Sequence, residues 1–109
     1  MSKKRLKVAI LWHMHQPDYR DPTSGRTLLP WTWLHAVKDY GEMLETVAEC
    51  QAPVTINLVP TLLEQLDRYR QGLDADSWLE MTRKKAEDLT PVERVFILEH
   101  FFSVNEQRH

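Results

Sequence analysis

The chain has one cysteine, Cys50, among 109 residues. No internal disulfide can staple the fold, and the usage suits a reducing compartment. No apolar run approaches the roughly 18 residues of a membrane-spanning helix. Neither sign of charge dominates: fourteen Lys and Arg face sixteen Asp and Glu, a formal net charge of -2. Nucleic acid and anionic membrane are therefore not expected as main partners. Internal repeats and low-complexity tracts are also lacking. A basic cluster, Ser2-Lys3-Lys4-Arg5-Leu6-Lys7, precedes an apolar stretch from Val8 to Trp12 that is too short for a secretory h-region. A cytoplasmic location is expected, with Cys50 a small buried side chain at a helix end. What is present, 42% hydrophobic and 28% charged residues, is the balance of a globular chain. The length suits one domain, residues 1–109.

Leu6 to Trp12 is nearly continuous in apolar residues, the pattern of a strand covered on both faces. A long connection follows from His13 to Pro30, where Pro17, Pro22, Gly25 and Pro30 block regular structure. Loops of this length at strand ends are often functional. Trp33, Val37, Tyr40, Leu44 and Val47 recur at steps of three and four, predicting a helix over Trp31–Cys50 with that face buried. Gly41 within it costs about 1 kcal/mol relative to Ala, which suggests a close packing contact there.

Val54 to Val59 reads as a second buried strand. Thr61 with Glu64 forms a capping box opening a helix whose buried stripe is Leu62, Leu63, Leu66 and Tyr69, stopped at Gly72. Ser77 with Glu80 forms another, on a helix carrying Trp78, Met81 and Leu89. Thr90, Pro91 and Glu93 mark the clearest helix start. The helix they open, with Val92, Val95, Phe96, Ile97, Leu98, Phe101 and Phe102, is apolar nearly all round. Strand, helix, strand and three helices is the opening of an α/β fold with two parallel strands. Such a pair cannot cover its own faces.

The string Trp12-His13-Met14-His15-Gln16-Pro17 carries the most chemistry. Alternation along a strand puts His13 and His15 on one side. They fall at a carboxyl edge, where ligands bind in parallel α/β folds. Two imidazoles and an amide suit sugar hydroxyls or a metal; equally, one histidine could be a satisfied loop or core residue. Asn57, near the end of the second strand, could bond a sugar or a neighbouring loop. Of the tryptophans, Trp31 is the better exposed candidate for sugar stacking; Trp33 and Trp78 fit packing. Asp18 and Asp21 read as loop-capping groups, and Glu42, Glu45 and Glu49 as a solvated helix face.

Three strings resemble glycoside hydrolase family 57 in order and spacing. They are Trp12 to Pro17 with its His-Gln-Pro triplet, Leu29-Pro30-Trp31-Thr32-Trp33-Leu34-His35-Ala36-Val37-Lys38-Asp39-Tyr40, and Asn57-Leu58-Val59-Pro60-Thr61-Leu62-Leu63-Glu64-Gln65-Leu66. The segment from Leu98 to Asn105 is similar to the stretch that leads into the family's next region. The resemblance implies the N-terminal part of a (β/α)7 barrel, retaining chemistry on α-glucans or maltooligosaccharides, and no cofactor or metal. It also implies that His13 and His15 line the substrate subsite while Gln16 supports the loop. The family's catalytic Glu and Asp belong to later strands, so no catalytic residue is assigned within this chain, and the missing C-terminal part of the barrel becomes an expected partner. Hydrolase, 4-α-glucanotransferase and branching enzyme share this opening.

Two other classes compete. A metal-dependent amidohydrolase or deacetylase would use His13 and His15 as ligands, yet needs at least one more. His35, His100 and His109 show no ligand spacing to the pair. A non-catalytic glucan-binding fragment is the other.

Overall fold

The computed structural model describes residues 5–102. Lys3 and Lys4 of the basic cluster, the end of the 98–105 string and His109 lie outside the described residues. The order is strand β1 (Ile10–Met14), helix α1 (Trp31–His35), a π-helical turn (Ala36–Tyr40), α2 (Gly41–Cys50), β2 (Val54–Leu58), α3 (Pro60–Arg70), α4 (Ser77–Arg83), a 3-10 turn (Ala86–Asp88) and α5 (Pro91–His100). It is a mixed α/β arrangement around two parallel strands, paired from Ile10↔Val54 to Met14↔Leu58.

This register corrects the expected first strand, Leu6–Trp12. Pairing begins at Ile10 because its partner begins at Val54, after Pro53, which has no N–H to give a ladder. The same register draws His13 and Met14 into the strand, opposite Asn57 and Leu58. Beyond them Val59 N–H donates to the Met14 carbonyl at 3.2 Å, and Pro60 then occupies the first turn of α3. Val59 is therefore the cap residue of α3 and not part of β2.

Helical structure runs through Trp31–Cys50 as expected, interrupted only by the π turn. It stops where Gln51 turns left-handed, at φ 49°, letting Ala52 N–H reach the Val47 carbonyl at 3.2 Å. Cys50 is exposed, contrary to expectation, as are its neighbours Ala48 and Glu49 in the last turn of α2. Gly41 has open space around the place a Cβ would take, so no packing contact requires it. Val37 and Leu44, expected in the buried stripe, are exposed.

Caps account for the other differences. Thr61 does not cap α3; it lies inside the first turn, and its hydroxyl donates to the Gln16 carbonyl at 3.3 Å. Asp76, not Ser77, caps α4 by accepting from Leu79 N–H at 2.9 Å. That helix ends at Arg83, so Leu89 falls outside it. The Thr90–Glu93 capping box forms as expected, with both reciprocal bonds present.

Among the described residues the buried apolar side chains are only Met14, Pro30, Leu62 and Leu79. Polar groups share the interior with them: Gln65 at 1% exposure, Thr32 and Asp76 at 0%. Gln65 replaces the expected Leu63 on the buried side of α3, while Leu63 is exposed. Its amide is saturated. The oxygen accepts from Thr32 Oγ1 at 3.0 Å and Tyr19 N–H at 3.4 Å; the nitrogen donates to the carbonyls of Pro17 at 2.9 Å and Thr61 at 3.1 Å. One side chain thereby ties α1, α3 and the loop after β1 together.

That loop is more ordered than its prolines suggest. Arg20 and Thr27 form an antiparallel bridge around a turn closed by Gly25 at φ 70°. Asp21 accepts from Thr23 N–H, Ser24 N–H and the Ser24 hydroxyl. The Arg20 guanidinium and Ser24 hydroxyl, respectively, hold the Asp18 and Asp21 carboxyls below the usual range. Both are loop-capping groups, as read from the sequence.

The radius of gyration is 19.2 Å, against about 13 Å for a compact chain of this length. Ile10, Leu11 and Leu58 of the sheet, and Val92, Val95 and Leu98 of α5, are exposed.

Candidate functional site

Both strands end on the same side, and a cleft of about 550 Å³ opens there. One wall is the end of β1: Trp12, His13, His15 and Gln16. The opposite wall comes from the helix that follows the loop: His35, Asp39, Tyr40 and Glu42.

The strand wall is built by register. His13 sits opposite Asn57 on the adjacent parallel strand, and its Nδ1 lies 2.6 Å from Asn57 Oδ1. Alternation carries His15 to the same side, where its ring stacks on His13 with centroids 5.8 Å apart. The shared side of His13 and His15 follows the strand alternation read from the sequence; the bond from His13 to Asn57 was not foreseen there. Gln16 is buried beneath them and held at both ends. Its nitrogen donates to Tyr40 Oη at 3.0 Å, and its oxygen accepts from Tyr19 Oη at 2.8 Å. It braces the loop against the helix. Burial pushes the Tyr19 phenol up, with Tyr40 adding to the effect.

The helix wall contains what the sequence reading missed. His35 Nδ1 is bonded to Asp39 Oδ2 four residues on, and its ring stacks near Tyr40 with centroids 6.0 Å apart. His35 had been set aside for want of a ligand spacing to His13 and His15, but it faces the same cleft. The i,i+4 His–Asp spacing on a helix was the available signal. The five-residue step to Tyr40 was not, because it works only on a π turn.

Trp31 does not join this group. It is exposed, and it lines a second cleft of about 320 Å³ with Trp33, Trp78 and Phe101. Trp78 also packs edge-on to Phe96 at 5.0 Å, consistent with its packing assignment. Among the described residues no three His, Cys, Asp or Glu side chains are grouped to hold a metal ion. No described helix is long and apolar enough to cross a membrane.

Chemically, the first cleft offers imidazole nitrogens and a phenol, with Trp12 also on its lining. Such a surface exchanges hydrogen bonds with hydroxyl groups and presents an apolar ring face. No family model, curated protein or solved structure matches the chain.

Proposed function

We propose that this chain is the opening part of a family 57 glycoside hydrolase barrel, acting on α-glucans by a retaining mechanism. The reading rests on the three resembling strings. The observation that carries it furthest is the meeting of His13, His15 and Asn57 at the carboxyl ends of adjacent parallel strands, beside an open cleft. That edge is where barrels bind substrate.

Retaining hydrolysis needs two carboxyl groups about 5–5.5 Å apart. Of the carboxylates on the cleft wall, Asp39 is bonded to His35 and Glu42 is exposed on α2. On the resemblance, the nucleophile and the acid/base belong to later strands of the barrel, and neither role is given to Asp39 or Glu42. This chain supplies part of the binding rim, and the uncovered strand residues Ile10, Leu11 and Leu58 are where the rest of the barrel would pack. Trp31 belongs to a separate aromatic surface that could extend the glucan path.

Calorimetric titration with maltohexaose, and with cellohexaose as the β-linked control, tests the reading. The expected result is saturable binding of the α-linked sugar alone, weakened roughly tenfold by His13→Ala, the scale of one or two lost hydrogen bonds. Equal binding of both sugars, or none of either, counts against it. Tight stoichiometric zinc uptake would instead favour the metal-dependent hydrolase.

A further inference from the structure

We infer that the His35–Asp39 pair is a second hydroxyl-binding element of the cleft, in which Asp39 acts as a positioning residue that leaves His35 Nε2 as a bare acceptor. The ligand assigned to it rests on the glucan reading above.

The argument starts from the carboxylate. An ionised carboxylate has no hydrogen to give, so the His35 Nδ1 facing Asp39 Oδ2 must carry the proton. In the neutral ring the other nitrogen then holds a lone pair. No described group bonds His35 Nε2, and the residue lies on the cleft wall. His13 is arranged alike: Nδ1 against the Asn57 amide oxygen at 2.6 Å, Nε2 without a described protein partner. Both histidines thus line the one cleft with Nδ1 already engaged, one on each wall.

Helix geometry explains why the second wall is rigid. In an α-helix, residues five apart are about 140° apart around the axis. The π turn at Ala36–Tyr40 brings residues five apart over one another, so Tyr40 stacks beside His35 while Asp39 still reaches it. Tyr40 is fixed in turn, since its oxygen accepts from Gln16. The imidazole is held by a carboxylate on one side and a braced phenol on another. A ring so held loses little freedom when a ligand binds.

Two measurements on the full chain test this. Long-range ¹H–¹⁵N correlation spectra, recorded without sugar at about pH 8, above the ordinary imidazole range, distinguish protonated from bare ring nitrogens. His35 is expected to show a protonated Nδ1 and a bare Nε2, and to lose that preference in Asp39→Ala. Titration with maltohexaose is expected to show roughly 3- to 10-fold weaker binding for Asp39→Ala, one hydrogen bond's worth. Asp39→Asn, whose amide oxygen can still accept, is expected to restore most of the loss. A protonated Nε2 on His35 in the wild-type chain, or unchanged affinity in Asp39→Ala, overturns the inference. If the wild-type chain binds no maltohexaose, the glucan reading fails, and with it the ligand assigned to the pair. The sugar-free spectra then decide separately whether the positioned acceptor stands.

Discussion

Two regions of this molecule are built on opposite principles. Around Gln65, local signals are weak and tertiary bonds are strong. The amide is buried and makes four hydrogen bonds to groups far along the chain or on its own helix. Around α5, local signals are strong and tertiary contacts few. The helix has a complete capping box, a first-turn proline and His100 in its last turn, yet Val92, Val95 and Leu98 lie open to solvent. The contrast separates two sources of order: one region ties distant parts of the chain together, while the other is ordered mainly by its own caps and meets α4 where Phe96 packs edge-on to Trp78.

Mutations can break or sharpen that contrast. The largest effect is expected at Gln65. Gln65→Leu keeps the volume but strands the buried Thr32 hydroxyl and the N–H of half-buried Tyr19, where each unpaired group costs about 1–3 kcal/mol. A loss of about 3 kcal/mol in urea unfolding is expected, and a loss under 1 kcal/mol would remove Gln65 from its central place.

Thr90→Ala is expected to cost about 1 kcal/mol, the usual worth of such a cap. It should appear as faster amide exchange across α5 and little elsewhere; a global loss would mean that α5 is better anchored than its exposure suggests. Acid should imitate this change. Glu93 is held below the ordinary carboxyl range, first by Lys84 and then by Thr90 N–H. Its contribution is present above the unfolded value, 4.5, and disappears as pH falls through the lower folded value. Protection of α5 should therefore fade below about pH 4.

The smallest expected change is in Leu98→Gln, within about 0.5 kcal/mol, as for an exposed position with no special role. The same substitution should reduce self-association in sedimentation experiments, because it removes part of an exposed apolar face.

Where the sequence spoke locally, it was legible. The Thr90–Glu93 box, the helical run from Trp31 and the shared side of His13 and His15 all follow from spacing within a few residues. Strand limits were less legible, because Pro53 sets the start of β1 from more than forty residues away. The choice of Asp76 over Ser77 as a cap also depended on distance. Asp76 accepts from the Tyr69 phenol at 2.7 Å as well as from Leu79 N–H, and that bond needs α3 in place. The phenol is pushed up, by burial first and by the Asp76 bond second. Gln65 had no periodicity to announce it, since a polar residue on an apolar stripe looks like an error until its four partners are known. The His13 half of the cleft was visible in a six-residue string. The His35 half required knowing that the helix would widen by a turn.

That widening also sets how far the chain's length can vary. Losing one residue between Ala36 and Tyr40 would close the turn to a regular α-helix with nearly the same exit direction. One turn beyond His35 there would then be room for one residue and not two, so Asp39 and Tyr40 could not both sit against its ring. The loop at Thr23–Arg26, bonded mostly to itself, could accept an insertion with little effect on the cleft. In this stretch, five residues must stay five, whatever their identities become.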